Sequence, residues 1–216
     1  TSEYAKRRQE IRDWNAKSAT LKRGIAFTPV KFGISFTLTF LNQAGALVHI
    51  YNDGSIHLNH GGTEMGQGLF TKTAQVAARA FQVDIDRIKI TATHTGKVPN
   101  TSATAASSGS DLNGMATANA CSKIKRRLQN FAARHWQTTS DRIDFVSGRV
   151  HVGTEDISFE ELVSEAYRNR ISLSATGFYS TPKINWDKDQ GNGRPFFYFS
   201  YGAAVTEVAI DTLTGE

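Results

Sequence analysis

The feature that most constrains this chain is a glycine-rich segment, His60 to Gly68 (HGGTEMGQG), placed between two regular elements. Before it, Asn52-Asp53-Gly54 separates two short apolar runs, which is typical of a β-hairpin. After it, apolar residues recur every three or four positions from Leu69 to Phe81, which indicates a helix buried along much of its surface. A glycine-rich turn that opens a helix offers unpaired N–H groups, so this turn predicts an anion site, typically for phosphate.

The spacing of the glycines disfavours the common nucleotide motifs. Gly61 and Gly66 are placed as in a P-loop, but Gln67-Gly68 stands where Lys-Ser/Thr is needed, and there is no GxGxxG for a Rossmann site. What remains is a cradle for a phosphate or a polar ring, in which the Gln67 amide donates and accepts. A tight structural turn explains the glycines equally well. Glu64 could act as a general base, or its carboxylate could interact with the positive end of the helix dipole.

A second loop of small residues precedes the next helix. Residues 100–114 read NTSATAASSGSDLNG, and apolar residues at helical spacing follow from Ala118 to Phe131. Such residues let the backbone approach a ligand, and their hydroxyls donate hydrogen bonds. Taken alone, residues 101–110 would be interpreted as a flexible linker with Ser110 as the N-cap. Two helix-opening loops of this kind in one chain predict two sides of one cofactor site.

Other candidates carry less information by themselves. Phe36-Thr37, expected within an extended segment from Leu21 to Leu41, could stack a flat heteroaromatic ring and hydrogen-bond its edge. An ordinary core-and-surface pair is the commoner role of such residues. His57 and His60 fall on opposite faces of a strand and have no third ligand at metal spacing, which disfavours zinc.

The remaining pattern predicts an α+β fold without regular βαβ alternation. A possible internal subdivision separates residues 20–150 from 151–216. Asp211 to Glu216 forms a turn without a returning strand, so we expect a piece of a longer polypeptide. The other expected elements are a polar helix at 3–17, a strand at 88–93, paired strands around Ser147-Gly148, a capping box at Ser158–Glu161, a loop over 183–194 and a strand at 196–210.

Composition excludes several classes of protein. No window is apolar for long enough to cross a membrane and the N-terminus is no signal peptide, so a cytoplasmic location is expected. The single Cys121 excludes an internal disulfide and an iron–sulfur cluster held by this chain alone. Much of the net charge of +5 lies at Lys6-Arg7-Arg8 and from Lys123 to Arg127. Both groups lack interleaved aromatic residues, so they are expected to be solvated helix faces and not a nucleic-acid site.

Several stretches together resemble the molybdenum-binding part of the xanthine dehydrogenase/oxidase family of molybdenum hydroxylases. They are KFGISFTLTFLNQAGALVHIYNDGSIHLNHGGTEMGQGLFTK at 31–72, VPNTSATAASSGSDLNG at 98–114, ISLSATGFYSTP at 171–182 and FFYFSYGAAVTEVAIDTLTGE at 196–216. The resemblance runs from about Leu21 to the end. It implies that residues 1–216 are part of a molybdenum-cofactor-binding region.

The resemblance implies Mo-molybdopterin as the cofactor. Gly66, Gln67 and Gly68 would contact the pterin. The loop that would cover the cofactor near the metal consists of Thr104, Ala105, Ala106, Ser107 and Ser108. Phe36 would be one of two phenylalanines that sandwich the substrate, and Thr37 would hydrogen-bond the edge of the substrate. Ala105 and Ala106 would pack beside the substrate and the metal. No residue of this chain is expected to ligate the metal directly.

The implied activity is hydroxylation of xanthine or hypoxanthine, a reaction of purine metabolism, with electrons passing to 2Fe-2S clusters and FAD in other domains. The family's base glutamate and its GGGFGGKE and AFRGFGG-type motifs are absent, so the isolated chain is expected to be inactive. The expected partners are the rest of the dehydrogenase chain or further subunits of an oligomeric enzyme. Thr63, the Phe-Thr pair and Thr-Ala-Ala favour purines over the aldehydes or N-heterocycles that relatives oxidise. A non-catalytic fold unit is the remaining alternative.

Overall fold

The computed structural model describes residues 2–97 and 101–216. In chain order, its elements are α1 (Tyr4–Lys17), β1 (Leu21–Ile34), β2 (Gln43–Ile50), β3 (Ile56–His60), α2 (Leu69–Phe81), β4 (Ile88–Ile90), α3 (Gly109–His135), β5 (Ile143–Val146), β6 (Arg149–Val152), β7 (Glu155–Ser158), α4 (Phe159–Arg168), β8 (Ser174–Ser180), β9 (Asn185–Asp187), β10 (Asn192–Arg194) and β11 (Tyr198–Asp211). Helices and mixed sheets confirm the predicted α+β class.

The chain divides into two compact units. One comprises the residues up to Ile34 together with Tyr198–Glu216, and the other comprises Ser35–Phe197. The expected subdivision near residue 150 does not coincide with this division, because β5, β6 and β7 form one sheet across that position inside the second unit. Among the described residues, no helix combines the length and apolarity needed to cross a lipid bilayer.

In the first unit, β1 and β11 form an antiparallel ribbon with Leu21 opposite Asp211 and Ile34 opposite Tyr198. The polar helix α1 packs against β1 with Ile11 buried, and polar side chains add further contacts. The Asn15 amide donates to the carbonyl of Arg23 at 2.7 Å and accepts from its N–H at 2.8 Å, as a neighbouring strand would. These hydrogen bonds supplement the apolar contacts of α1, in which Ile11 is buried and the Tyr4 ring lies 6.1 Å from that of Phe27.

The second unit is built on a four-stranded sheet in the order β4-β3-β2-β8. The predicted hairpin is confirmed, because β2 and β3 pair antiparallel around the turn. β3 and β4 are parallel and are joined through α2, the one crossover of this kind in the described sheet. The helices α2 and α3 contribute Phe81, Ile124 and Leu128 to a core with Val48 and Leu58 of the sheet, all of them fully buried.

Helix α3, 27 residues long, lies directly on β8. A Cβ at Gly177 of β8 would come within 1.9 Å of the carbonyl oxygen of Ala116 and 2.6 Å of the nitrogen of Ala120. Only glycine permits this approach of strand to helix backbone. The residue therefore fixes how closely the longest helix packs on the sheet.

Side chains of α3 also reach the outer carbonyls of β8 and that of Ser172, two residues before the strand. The spacing fits, because four residues of helix and two of strand both advance by about 6–7 Å. The donors are Asn119 to Phe178, Lys123 to Thr176, and Arg127 to both Ser174 and Ser172, at 2.7–2.8 Å. Lys123 and Arg126 are exposed, as predicted for a solvated helix face, whereas Lys125 and Arg127 are half-buried.

The smaller sheet, β5-β6-β7, is followed by α4. The predicted capping box is confirmed, because the Ser158 hydroxyl accepts from the N–H of Glu161 at 3.1 Å. Phe159, the first residue of α4, packs against Phe81 and Phe145 with ring centroids 5.8 and 6.3 Å apart. These contacts join the smaller sheet to the main core.

Two expectations about local structure are wrong. The extended segment predicted from Leu21 to Leu41 ends at Ile34, and a bend with a 3-10 turn at Thr39–Leu41 follows. The predicted loop at 183–194 contains the hairpin β9–β10. The turn of that hairpin forms because a carboxylate oxygen of Asp187 accepts from the N–H groups of Asp189 and Gln190, both at 2.9 Å.

Candidate functional site

Two loops meet at a cavity of about 450 Å³ in the second unit. One wall is the turn at 61–68 with the start of α2, and the other is the loop at 101–108 with the start of α3. The lining residues are Met65, Gln67, Leu69, Lys72, Thr104, Ala105, Ala106, Ser107, Gly109 and Ser110. The two helix-opening loops are thus brought together, as the sequence predicted. Asn100, the first residue of the small-residue stretch, and the preceding Val98-Pro99 lie outside the described residues.

A hydrogen bond and a close contact tie the two walls together. The N–H of Thr63 donates to the Thr104 hydroxyl at 2.9 Å. A Cβ at Gly61 would come within 2.0 Å of the Thr101 methyl group, so the absence of a side chain lets the two loops touch. The loop at 101–108 is therefore attached to the glycine-rich turn, which the interpretation as a flexible linker does not explain.

Gly62 lies between the first residue of α2, Leu69, and the fifth residue of α3, Asn113. A Cβ there would be 2.5 Å from Leu69 Cδ2 of α2 and 2.8 Å from Asn113 Nδ2 of α3. Asn113 is 4% exposed, and its Nδ2 donates to the carbonyl of Gly109 at 2.8 Å. Its buried Oδ1 has no hydrogen-bond partner among the described residues. Both helix starts are therefore packed around one glycine.

The start of α2 is closed by the carboxylate of Glu64. Oε1 accepts from the N–H groups of Gly66 at 2.9 Å and Gly68 at 3.0 Å, and Oε2 accepts from that of Phe70 at 3.0 Å. The bond from Phe70, followed by those from the glycines, lowers the pKa of this carboxyl below its ordinary value. The prediction of unpaired N–H groups at this turn is wrong, because the chain supplies its own anion. This arrangement is the helix-dipole role considered for Glu64.

The residues predicted to contact a pterin have different structural positions. Gly66 and Gly68 have φ angles of +94° and +74°, which favour glycine, and they shape the turn without lining the cavity. Gln67 lines the cavity. Its side chain also braces the turn, because Oε1 accepts from the N–H of Met65 and Nε2 donates to the carbonyl of Thr63 at 2.8 Å. Binding by these three residues stays a prediction.

The start of α3 has no side-chain cap. Ser108, the residue before the helix, turns its hydroxyl back to the carbonyl of Ala105 at 3.0 Å. Ser110, the expected N-cap, instead lies inside the first turn and lines the cavity beside Gly109. The N–H groups of a first helical turn have no intrahelical acceptor. The cavity is therefore bordered by the positive end of a long helix.

The predicted small-residue loop forms most of the second wall. Thr104, Ala105, Ala106 and Ser107 line the cavity, and Ser108 is buried. Ala106 and Ser107 have φ angles of +54° and +55°. A left-handed residue other than glycine costs about 1–2 kcal/mol, so surrounding contacts must hold this shape. Lys72 is the charged residue among those that line the cavity.

His60 links the glycine-rich turn to α2, a role that the sequence analysis missed. Its ring is 2% exposed, and Nδ1 accepts from the N–H of Gly62 at 3.1 Å. Nε2 lies 3.0 Å from the Thr73 hydroxyl, which lies 3.0 Å from the carbonyl of Leu69. Burial lowers the pKa of His60 to about 4. The signal was the alternation in IHLNH, which places His60 on the same side as the buried Ile56 and Leu58.

The described residues contain no group of three or more His, Cys, Asp or Glu side chains arranged to hold a metal ion. His57, the other histidine considered for zinc, hydrogen-bonds Thr91 at 3.1 Å. Its ring is partly buried, and burial lowers its pKa, with nearby Lys97, His49 and Lys89 acting in the same direction.

Phe36 and Thr37 lie in the bend after β1 and are not among the residues that line the cavity. Phe36 is half-buried and Thr37 is exposed. Their loop is held by Asn42, a buried residue that the sequence analysis missed. Asn42 Oδ1 accepts from the N–H of Phe36 at 2.8 Å and the hydroxyl of Ser35 at 2.9 Å, and Nδ2 donates to the carbonyl of Phe36 at 2.9 Å. The signal was a polar residue at the junction between an apolar loop and a strand.

Comparison with known proteins places these loops in context. Residues 1–216 match the sequence model of a family described as the molybdopterin cofactor-binding domain. The chain is 49% identical over 216 residues to xanthine dehydrogenase/oxidase of Mus musculus and 48% identical over 213 residues to xanthine dehydrogenase of Oryza sativa subsp. japonica. These alignments cover 100% and 99% of the chain but only 15% and 14% of the two relatives.

Solved structures with lower sequence identity share the fold. Quinoline 2-oxidoreductase from Pseudomonas putida 86 superposes with a TM-score of 0.76 at 21% identity, over 99% of this chain and 27% of that protein. Aldehyde oxidoreductase from Desulfovibrio gigas superposes with a TM-score of 0.74 at 20% identity, over 99% of this chain and 21% of that protein. At such identities the likeness concerns the fold alone.

Proposed function

This chain belongs to the molybdopterin cofactor-binding domain family, and from that premise we propose that its cavity is part of the Mo-molybdopterin site of a xanthine dehydrogenase. The observation that carries the proposal is the cavity of about 450 Å³ at which two small-residue loops meet the uncapped start of α3. Identity of 48–49% to xanthine dehydrogenases across the chain supports the enzyme class. The chain is a small part of those relatives, so the whole reaction depends on further polypeptide.

The residues present fit a phosphate-bearing pterin. The volume lies within the range of small-molecule sites, about 300–1,000 Å³. Gly109 and Ser110 offer first-turn N–H groups, Ser110 adds a hydroxyl, and Lys72 adds a positive charge. Ala105 and Ala106 leave space for close approach of a flat group. We therefore assign the phosphate to the start of α3 and Lys72, and the pterin to the wall formed with Gln67.

The bound cofactor would supply oxygen transfer to a ring carbon and take up the electrons released. The chain's own residues bind and orient. Thr104 keeps the two walls together through its bond from Thr63, and Gln67 braces the turn that faces Ala105 and Ala106. The family's base glutamate is absent from this chain, so we propose no proton transfer by its residues, and we expect the isolated chain to be inactive.

We assign a purine substrate, xanthine or hypoxanthine, to Phe36 and Thr37. Asn42 fixes the backbone of Phe36 on both its N–H and carbonyl sides, which pre-organises the loop to present a ring. The exposed Thr37 hydroxyl makes no hydrogen bond within the described ranges. A flat purine stacked on Phe36 would leave its polar edge for Thr37.

The remaining parts of the enzyme are proposed from the family. The 2Fe-2S clusters and FAD would be bound by other domains or subunits of an oligomeric cytoplasmic enzyme.

The first experiment is to purify the polypeptide that contains these residues from its source. Intact mass, molybdenum and phosphorus content, and oxidation rates for xanthine, hypoxanthine, aldehydes and N-heterocycles would be measured. We expect a much longer chain or a complex with one molybdenum per site and a preference for the purines. A polypeptide without molybdenum would overturn the cofactor proposal, and a preference for aldehydes would overturn the substrate assignment.

Variants of that enzyme test which residues contact the cofactor. Lys72→Met should lower its molybdopterin content, measured as the fluorescent oxidised pterin released on denaturation. Lys6→Met, which removes a lysine on α1 in the other unit, is the matched control and should leave the content unchanged.

A further inference from the structure

We propose that His60 is a positioning residue that sets the distance between the two walls of the cavity, by holding the backbone of Gly62 against the first turn of α2. The proposal rests on the proposed function only in that the cavity is the cofactor site. Three observations carry it: the burial of the ring, the partners of its two nitrogens, and the contacts that continue from Gly62 to the other wall.

The ring of His60 occupies the point where strand, turn and helix meet. His60 is the last residue of β3, and its side chain is 2% exposed. The ring of Phe70 in α2 packs edge-on against it, with centroids 5.3 Å apart and planes at 87°. A side chain in this position cannot move without disturbing both α2 and the turn.

The hydrogen bonds define the neutral form of the ring. Nδ1 accepts from the N–H of Gly62, so the proton of the neutral imidazole resides on Nε2. Nε2 then donates to the Thr73 hydroxyl, which donates to the carbonyl of Leu69. Protonation would place an N–H at Nδ1 against the N–H of Gly62 and remove that bond. Phe70 and Thr73 of α2 and Ala46 of β2, opposite His60, bring no charge to the ring.

The contacts continue to the second wall within one residue. Gly62 precedes Thr63, whose N–H donates to the Thr104 hydroxyl across the cavity. Gly62 itself has no room to move towards the helices, because Leu69 and Asn113 lie close to it. A loss of the bond to His60 therefore shifts the turn and, with it, the bond between Thr63 and Thr104.

The test compares two substitutions that each keep half of the histidine's hydrogen bonding. In His60→Asn, the amide oxygen lies near the former Nδ1 position and can accept from Gly62. In His60→Gln, the amide nitrogen lies near the former Nε2 position and can donate to Thr73. Amide exchange of Gly62 and Thr63 would be followed by NMR in the full 216-residue chain at pH 7, and normalised to core amides such as Leu128.

We expect Asn to keep the slow exchange and Gln to accelerate it by about tenfold at both residues. His57→Gln, on the opposite face of the same strand, is the matched control and should leave both amides unchanged. Equal acceleration in the two His60 variants would show that the ring merely fills space, and no acceleration in either would remove its role. Both outcomes overturn the proposal.

If neither His60 variant folds, the wild-type ring decides the question. Its imidazole ¹⁵N shifts should report an unprotonated Nδ1 at pH 7, and a proton on Nδ1 would overturn the proposal. All these measurements are made without cofactor. A finding that the cavity does not bind molybdopterin would therefore leave the role of His60 unaffected. A negative result for His60 would likewise leave the cofactor proposal unaffected.

Discussion

The two helices that meet at the cavity begin in different ways. At α2, Glu64 places its carboxylate over three backbone N–H groups of the turn and first helical residues. At α3, Ser108 turns its hydroxyl away from the helix, and Gly109 and Ser110 border the cavity. The positive end of the helix is thus neutralised by the chain itself at α2, whereas at α3 we propose that it binds a ligand.

The comparison teaches that a glycine-rich turn does not identify a ligand site by its glycines. What distinguishes the two starts is an acidic side chain placed four residues before the N-cap of α2, at Glu64. The loop before α3 has no acidic residue from Thr101 to Ser110. Helix α3 has an acidic residue of its own in its first turn, Asp111, so the difference lies in a carboxylate placed before the helix and bonded to its N–H groups, as Glu64 is at α2.

The largest expected effect is a loss of stability in acid, caused by protonation of His60 beside α2. His60 has an ordinary pKa of 6.5 when unfolded and about 4 when folded, so the unfolded chain binds the proton first. Stability is complete above about pH 6.5 and falls by about 3 kcal/mol as the pH drops towards 4. Urea unfolding between pH 7 and 4 measures this loss, and His60→Asn should lack most of it. An equally steep decline in that variant would contradict the assignment to His60.

Gly62→Ala should disturb both helix starts at once. Its Cβ would overlap Leu69 of α2 and Asn113 of α3, both buried, and overpacking at such a site costs about 2 kcal/mol. Chemical denaturation measures the change. Gly114→Ala within α3 is the matched control, because its Cβ would meet Val76 at 3.7 Å, an ordinary contact. That control should retain or slightly raise stability, since alanine favours helix. Equal losses in the two variants would exclude the steric explanation.

Glu64→Gln should open the α2 start while leaving α3 unchanged. The amide retains one acceptor oxygen and loses the negative charge, so the amides of Gly66, Gly68 or Phe70 should exchange several-fold faster. Exchange at Gly109 should not change. Glu165→Gln on α4, which removes a half-buried carboxylate bonded to Arg168, is the control. Unchanged exchange at all three α2 amides would show that Glu64 does not hold the turn.

The smallest effect is the binding of inorganic phosphate. Titration at low salt should shift the NMR signals of Gly109 and Ser110 and leave those of Gly66 and Gly68 in place. Lys72→Met should weaken this binding about twofold, as expected for an exposed charge. Lys89→Met on the next strand is the control. Shifts at Gly66 and Gly68 would mean that phosphate displaces Glu64, and the contrast between the helices would then be wrong.

Local periodicity was sufficient to predict α2, α3, the hairpin around Asp53 and the capping box at Ser158, because neighbouring residues determine these features. It failed for residues 35–42, where β-like apolar residues are held in a bend by the side chain of Asn42. The pairing of β1 with β11 depends on residues more than 150 positions apart, which no local pattern specifies.

The candidate site shows the same limit. The two loops could be identified from their small residues, and the structure brings them to one cavity. The carboxylate of Glu64 reaching forward to Phe70, and the ring of His60 reaching Thr73, depend on the turn that they help to build. The sequence identifies these residues but does not show where their side chains point. The N–H groups at the start of α2 were therefore wrongly expected to lack a hydrogen-bond partner.

The side chains that α3 extends to β8 also have a consequence for self-association. Exposed strand edges are where β-proteins most readily recruit one another into fibrils and swapped dimers. Asn119, Lys123 and Arg127 occupy the carbonyls that an incoming strand would need. An intruding chain would have to displace two cations and an amide before its first main-chain bond could form. The side chains of α3 therefore protect the β8 edge against aggregation.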